Sequence, residues 1–242
     1  EKTIEQIMIN DLPWYEEKGI RLHAGQAVVE IHRSRREVRA ADGTVAPYDR
    51  LLLATGSNPF ILPLPGNNLQ GVIGFRDIHD VETMLAATRS GKNAVVIGGG
   101  LLGLEAANGL MKQGMQVTVV HVLDTLMERQ LDPMAADMLR TTLEERGLRF
   151  LMGANTAAIL GEDRVRAVRF KDGLEIPTDL VVMAVGIRPN IELAKKAGIY
   201  CERGIVVNDT MQTYDPRVYA VGECVQHRGQ CYGLVAPLWE QA

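Results

Sequence analysis

The sequence predicts an α/β fold in which the second half of one domain precedes a complete second domain of the same kind. The first observation is a strand–turn–helix–strand unit at residues 93–122, where an apolar run enters a glycine-rich turn and a β-branched run follows the helix. The second is a repeat. An Asp-Gly turn, an apolar run and a glycine occur in this order at residues 42–56 and again at residues 172–186. Strands that alternate with helices form parallel sheets, so both observations indicate an α/β protein with β-meanders.

Length and composition exclude several classes of protein. The 242 residues are enough for one large or two ordinary domains, and 46% apolar with 23% charged residues is typical of a globular protein. No apolar run reaches the roughly 18 residues of a membrane span, and the start has no secretory signal. The net charge of −4 argues against nucleic acid as a partner. Cys201, Cys224 and Cys231 form no C-x-x-C pair, so we expect buried, reduced cysteines and a cytoplasmic protein without a metal site.

Before the central unit, the sequence predicts short elements. Asp11 can cap a helix that has Pro13 in its first turn and Gly19 after its end. Four strand-like runs follow, the first three as a meander and the last as a buried strand. Residues 59–74 contain three prolines and three glycines, so we expect a connection without a regular element. The four runs are residues 27–31, 37–40, 45–48 and 51–54.

After the connection, two further helices and a second meander are predicted. Asp77 caps a helix that runs through Arg89, and Asp132 with Pro133 begins another that ends before Gly147. A last helix begins at Pro237. The predicted apolar face of the helix after Pro133 consists of Ala135, Met138, Leu139, Thr142 and Leu143. The predicted strands are residues 149–152, 157–160, 165–170 and 180–184, the last of them buried.

The glycine-rich turn predicts a dinucleotide site. Gly98, Gly100 and Gly103 have the spacing G-x-G-x-x-G between a strand and a helix. In this motif the first glycine allows the turn, the second lets the backbone approach a pyrophosphate, and the third allows close packing of helix on strand. The amides and the positive dipole end of the helix then face the phosphates. The alternative is a glycine-rich turn in an ordinary α/β fold.

The repeat also predicts which elements precede the given sequence. Residues 1–56 carry the second half of a domain whose complete version begins at the glycine-rich turn. We therefore expect a strand, a glycine turn and a helix upstream of Glu1, and a chain that is a piece of a longer protein.

Four motifs resemble the two-dinucleotide-domain flavoprotein reductases, which are pyridine nucleotide-disulfide oxidoreductase-like. They are Ala-Thr-Gly at residues 54–56, G-x-G-x-x-G-x-E at 98–105, Val-Gly-Ile-Arg-Pro-Asn at 185–190 and Tyr-Ala-Val-Gly-Glu at 219–223. The resemblance implies two Rossmann-like domains, with the FAD domain interrupted by an NAD(P)H domain. The expected divisions are residues 1–74 for the incomplete first part of the FAD domain, 75–189 for the NAD(P)H domain and 190–242 for the second part.

The resemblance implies FAD contacts at three places. Thr55 and Gly56 would lie along the FAD, and Gly222 with Glu223 would reach its pyrophosphate and ribitol. The family usually has Asp where this chain has Glu223. Ala236 and Pro237 would face the flavin ring from the start of the last helix. The alternative for Pro237 is a proline that suits a first helical turn.

The resemblance also implies NAD(P)H contacts. The NAD(P)H pyrophosphate would be bound by the motif glycines Gly98, Gly100 and Gly103 together with Leu101 and Leu102. Gly186 would let the backbone approach the nicotinamide half. Glu105 would point toward the contact between nicotinamide and flavin. The alternative for Glu105 is an acid in the first helical turn, favoured by the dipole.

The coenzyme preference stays open at His121, where an NAD-selective site would hold a carboxylate. A neutral imidazole can bind a ribose hydroxyl, and a protonated one favours a 2′-phosphate. Asp124 could supply the acid or cap a loop.

The resemblance implies a module that passes a hydride from NAD(P)H to FAD, and electrons onward to iron–sulfur and sirohaem centres that reduce nitrite to ammonia. The cysteine spacings that bind such centres are absent, so sirohaem and the iron–sulfur cluster are expected outside this chain. The partners would be downstream domains with these centres or a small redox protein; a homodimer stays open. One alternative is a stand-alone rubredoxin or ferredoxin reductase or NADH oxidase. Another is a non-catalytic nucleotide-binding or redox-sensing module.

Overall fold

The computed structural model describes residues 3–242, apart from the side chains of residues 4 and 5. It divides into two compact units. The first unit comprises the described residues up to Ala54, with Ile191–Tyr232 and Pro237–Ala242, and the second comprises Thr55–Asn190 with Gly233–Ala236. Each unit thus contains segments that are distant in the sequence. The predicted α/β class is confirmed.

The chain alternates short strands with seven helices in the described residues. The helices are α1 Ile4–Ile7, α2 Leu12–Glu17, α3 Ile78–Thr88, α4 Leu101–Lys112, α5 Pro133–Glu145, α6 Glu192–Lys196 and α7 Val235–Gln241, with a 3-10 turn at Gly222–Cys224. The strands are β1 Val28–His32, β2 Glu37–Ala40, β3 Val45–Pro47, β4 Leu51–Leu53, β5 Ser57–Pro59, β6 Val72–Ile73, β7 Asn93–Ile97, β8 Gln116–Val120, β9 Arg149–Leu151, β10 Thr156–Gly161, β11 Val165–Phe170, β12 Glu175–Pro177, β13 Leu180–Met183, β14 Ile187–Pro189, β15 Ile205–Val207, β16 Val218–Ala220, β17 Val225–His227 and β18 Gln230–Cys231.

The second unit is organised around a five-stranded parallel sheet in the order β6-β13-β7-β8-β9. Successive side chains of a strand point to opposite faces, so the two central strands supply two cores. Val96 and Val182 pack on one face with residues of α3, α4 and α5. Val95 and Val181 pack on the other face with residues of the meander β10-β11-β12. The sheet is therefore covered on both sides, as parallel sheets require.

The first unit contains a second meander, β1-β2-β3, and a parallel pair formed by β4 and β16. Strand β15 pairs in parallel with β17, which continues into β18. Its core includes Leu53, Val218 and Ala220, together with Cys224. Residues from the early and late parts of the chain thus share one hydrophobic core.

Three predicted helices are confirmed, with the expected caps. Asp11 accepts a hydrogen bond from the Trp14 N–H at 3.0 Å. Asp77 forms a reciprocal capping box with Asp80 at the start of α3. Asp132 accepts from the Ala135 N–H at 2.9 Å and Pro133 is the first residue of α5.

The structure corrects four expectations. Leu52 is 59% exposed, so the last of the four early runs is not a buried strand throughout. Residues 59–74 do contain a regular element, β6, because Val72 and Ile73 add an edge to the parallel sheet. On the predicted apolar face of α5, Met138 and Thr142 are exposed, whereas Ala136, which was not predicted to lie there, is buried. The last helix, α7, begins two residues before Pro237.

No helix in residues 3–242 is both long and apolar enough to cross a membrane. The same residues contain no group of three or more His, Cys, Asp or Glu side chains that could hold a metal ion. All three cysteines are free, and Cys224 is buried, whereas Cys201 and Cys231 are half-buried.

Candidate nucleotide-binding site

Gly98 and Gly103 hold a turn at the carboxyl end of β7, in the centre of the parallel sheet. Gly98 has a φ of +126°, and a Cβ at this position would collide with the carbonyl oxygen of Ala184, just after β13. A Cβ at Gly103 would collide with the carbonyl oxygen of Gly98. The first glycine therefore brings two strand ends together, and the third lets α4 pack on the turn.

Gly100 differs from these two glycines. It is the N-cap of α4 with an ordinary φ of −86°, no side-chain capping bond and no atom within 4 Å of the position of a Cβ. The first intrahelical bond runs from the Leu104 N–H to the Gly100 carbonyl, so the amides of Leu101 and Leu102 precede the helical ladder. An open surface in front of free helix amides fits the pyrophosphate of a dinucleotide.

Asp179 anchors the opposite end of the same strand. Its carboxylate accepts hydrogen bonds from the backbone N–H groups of Lys92 at 2.8 Å and Asn93 at 3.0 Å. These two bonds, that from Asn93 first, lower the pKa of the Asp179 carboxyl below its ordinary value. The Asp179 carboxylate thus fixes the start of β7 beside the start of β13. The glycine turn lies at the opposite end of β7.

The segment after β8 holds the middle of the glycine turn, a feature that the sequence analysis missed. The Gly99 N–H donates to Nδ1 of His121 at 3.1 Å, and the Gly99 carbonyl accepts from the Met127 N–H at 3.1 Å. Leu126 is 1% exposed and would contact any side chain added at Gly99. The sequence gives no indication of this contact, because Gly99 and His121 are 22 positions apart in the chain.

His121 lies one residue beyond the end of β8 and is buried. A carboxylate oxygen of Glu128 lies 3.3 Å from its Nε2. Asp124, the alternative acid, is exposed, and its Oδ1 would lie 2.9 Å from a Cβ at Gly153. Of the two candidate side chains, the His121 imidazole is the one that contacts the glycine turn, through the hydrogen bond from the Gly99 N–H.

Glu105 is exposed on α4, and the first turn of this helix contains no acid. The alternative interpretation of Glu105 as a first-turn acid is therefore wrong, because α4 begins at Leu101 and Glu105 lies in the following turn.

Within the second unit, Thr55 and Gly56 of the Ala-Thr-Gly motif contact the Ile-Arg-Pro-Asn motif. Strands β5 and β14 pair antiparallel. The Thr55 hydroxyl donates to the Asn190 carbonyl at 2.7 Å, and the Asn190 N–H donates to the Gly56 carbonyl at 2.9 Å. Gly186, just before β14, has a φ of +118° and nothing within 4 Å of a Cβ position. Its open side fits a backbone approach by a ligand.

The other predicted FAD residues follow β16 in the chain, with Ala236 in the second unit and the rest in the first. Gly222 has a φ of +87° and an open Cβ position, while its N–H donates to Oε1 of Gln241 at 2.9 Å. Glu223 lies in the 3-10 turn that follows. Ala236 is exposed and Pro237 is the third residue of α7, so Pro237 does lie in a first helical turn.

Comparison with known proteins gives consistent matches. A family model described as pyridine nucleotide-disulphide oxidoreductase matches residues 3–237. A nitrite reductase [NAD(P)H] of Bacillus subtilis is 55% identical over 239 residues, which are 99% of this chain and 30% of that protein. An assimilatory nitrate reductase electron transfer subunit of the same organism is 47% identical, over 100% of this chain and 31% of that protein. The chain thus spans about a third of the length of these relatives.

A solved structure has a similar fold. A ferredoxin reductase for the CYP199A2 system of Rhodopseudomonas palustris is 31% identical, with a TM-score of 0.89. The alignment covers 95% of this chain and 58% of that one.

Proposed function

The chain belongs to the pyridine nucleotide-disulphide oxidoreductase family, and we propose that it forms the electron-input module of an NAD(P)H-dependent nitrite reductase. Members of this family bind FAD and NAD(P)H. The module would pass a hydride from NAD(P)H to FAD, and electrons onward to iron–sulfur and sirohaem centres elsewhere in the protein. The 55% identity to a nitrite reductase supports this acceptor. The three unpaired cysteines fit a cytoplasmic location.

The glycine turn is the observation on which the proposal rests. Gly98 and Gly103 fit only as glycines, and Gly100 leaves an open surface at the start of α4. Leu101 and Leu102 would donate their amides to the pyrophosphate of NAD(P)H, and Gly186 would let the nicotinamide half lie against the backbone. This is the arrangement that a dinucleotide needs at the carboxyl ends of parallel strands.

We assign the FAD contacts to Thr55, Gly56, Gly222 and Glu223, with Ala236 and Pro237 at the start of α7. The open side of Gly222 supports this assignment. The Thr55 hydroxyl already donates to Asn190, so Thr55 would contact the cofactor through its remaining atoms. The flavin supplies the chemistry when bound, since it accepts a hydride and releases electrons singly. The residues of the chain would bind and orient the nicotinamide and the flavin and would exclude water from them.

The similarity to a ferredoxin reductase supports a second candidate, a reductase that serves a small redox protein. Both candidates require flavin reduction by NAD(P)H. A non-catalytic nucleotide-binding module predicts binding of the nucleotide without bleaching of a flavin.

The first test changes two glycines with open surroundings, one at the N-cap of α4 and one within the helix. Gly100→Ala adds a methyl group in front of the helix amides, and we expect it to weaken NADH binding at least about tenfold. Gly109→Ala is the matched control, because a Cβ there also meets nothing within 4 Å but lies in the third turn of α4. Calorimetric titration measures both affinities. Equal affinity in the two variants, or no NADH binding by the unmodified chain, contradicts the nucleotide site.

The second test concerns Glu105. If its carboxylate faces the nicotinamide, Glu105→Gln slows flavin reduction about tenfold or more while the dissociation constant of NADH changes less. Stopped-flow absorbance of the complete flavoprotein gives both quantities. An unchanged rate of reduction removes Glu105 from the mechanism.

A further inference from the structure

The side chain of His121 is 9% exposed and has two different environments at its two ring nitrogens. Nδ1 accepts a hydrogen bond from the Gly99 N–H, so it carries a lone pair and the imidazole is neutral, with its proton on Nε2. Nε2 is buried and makes no hydrogen bond with the described part of the chain. The Glu128 carboxylate is 3.3 Å away but outside hydrogen-bond geometry.

A buried donor without an acceptor is costly, and the Glu128 carboxylate, 3.3 Å from Nε2, is the nearest group that can offset this cost. A ribose hydroxyl suits the exposed side of this pair, because it can donate to the carboxylate of Glu128. The Glu128 side chain is 37% exposed and therefore accessible to a ligand. In a strand–turn–helix–strand unit, the end of the second strand is where the adenosine ribose of a bound dinucleotide lies.

The same arrangement disfavours a ribose that carries a 2′-phosphate. The carboxylate of Glu128 would repel the phosphate charge. An imidazolium could offset that charge, but protonation of Nδ1 would break the bond from Gly99 that holds the turn. Arg129 is the neighbouring cation that would favour a phosphate, and Asp124 is the other acid of the segment.

We propose that Glu128 is the specificity-determining residue that selects NADH over NADPH, with His121 as the positioning residue that joins it to the glycine turn. The inference rests on the proposed function of this turn as a nicotinamide dinucleotide site. Glu128, seven positions after His121 in the chain, would take the role that the strand-end carboxylate has in an NAD-selective site.

The experiment is a calorimetric titration of the unmodified protein and three variants with NADH and with NADPH. The unmodified protein is expected to bind NADH at least about tenfold more tightly than NADPH. Glu128→Gln is expected to reduce this ratio about tenfold, with tighter NADPH and weaker NADH binding. Asp124→Asn removes an acid from the same segment and Arg129→Gln removes the cation; neither should reduce the ratio more than about twofold.

The fourth variant tests the role of His121. His121→Asn keeps an acceptor near the position of Nδ1, and the NMR signal of the Gly99 amide is expected to keep its downfield, hydrogen-bonded position, as in the unmodified protein. A shift of this signal in His121→Asn as large as in a His121→Leu reference overturns the positioning role.

The outcomes separate the inference from the proposed function. If the unmodified protein binds neither nucleotide, the proposed function fails. If it binds both and Glu128→Gln leaves their ratio unchanged, the inference is overturned while the dinucleotide site stands. A loss of preference in Asp124→Asn alone assigns the selection to Asp124 and likewise overturns the inference.

Discussion

The two meanders of this protein are built alike, but the strands that follow them differ. In the first unit, Asp42 accepts from the Thr44 N–H at 2.9 Å, and in the second Asp172 accepts from the Leu174 N–H at 3.0 Å. The glycines that follow, Gly43 in the first turn and its counterpart in the second, both have a φ of +90°. The repeat in the sequence is therefore a repeat in local structure.

The strands after the meanders have different surroundings. β13 lies between β6 and β7, and its four residues are buried. In residues 3–242, β4 pairs with β16 alone, and Leu52 is exposed. Asp179 binds the first amides of β7, whereas Asp49, the corresponding residue before β4, is exposed and makes no hydrogen bond or ion pair in the described residues. Neighbouring strands, more than the strand's own residues, thus determine burial.

The largest expected effect tests this comparison with two leucines. Leu180 is 1% exposed in β13, and Leu180→Ala should lower the free energy of unfolding by about 3 kcal/mol, because the lost contacts leave a cavity. Leu52→Ala in β4 should cost less than about 1 kcal/mol, since its side chain is already exposed. Urea unfolding with hydrogen exchange, which reports on each unit separately, measures both. Equal losses would mean that the two strands have similar surroundings in solution.

A smaller effect is expected from a polar contact of the first unit. The Arg33 guanidinium donates to Asp215 at 2.7 Å and to the Tyr214 hydroxyl at 2.7 Å, which ties the first meander to the turn before β16. Asp215 is 14% exposed, so Asp215→Asn should cost about 2 kcal/mol through the loss of a charged hydrogen bond. Asp209→Asn is the control: it breaks an ion pair with Arg228 on the surface and should cost less.

The same pair gives the expected dependence on pH. Burial raises the pKa of the Asp215 carboxyl, but the hydrogen bond from Arg33 and that from the Arg217 N–H outweigh it and lower the pKa below its ordinary value. A lowered pKa in the folded state means that the contribution is complete above the unfolded pKa and is lost as the pH falls through the folded pKa. Unfolding measured from neutral to acid pH should show the difference between Asp215→Asn and the unmodified protein shrink. A constant difference would contradict the role of the charge.

The sequence predicted the local features well because their causes lie within a few residues. Asp77 and Asp132 cap their helices through bonds to residues three positions on. The spacing of Gly98 and Gly103 required the turn that the structure contains. Met138 shows the limit: its helical spacing placed it on the apolar face, but no element of residues 3–242 buries it and it is 67% exposed.

The sequence by itself therefore determined most of the helices and strands, the two Asp-Gly turns and the glycine turn. Only the tertiary structure decided that Leu180 is buried and Leu52 exposed, and that His121 holds Gly99 while Glu128 lies beside it. The physical reason is the range of the interactions. Caps and turns are satisfied by neighbours in the chain, whereas burial and the partner of a buried polar atom depend on segments that are distant in the sequence and meet only when the sheet forms.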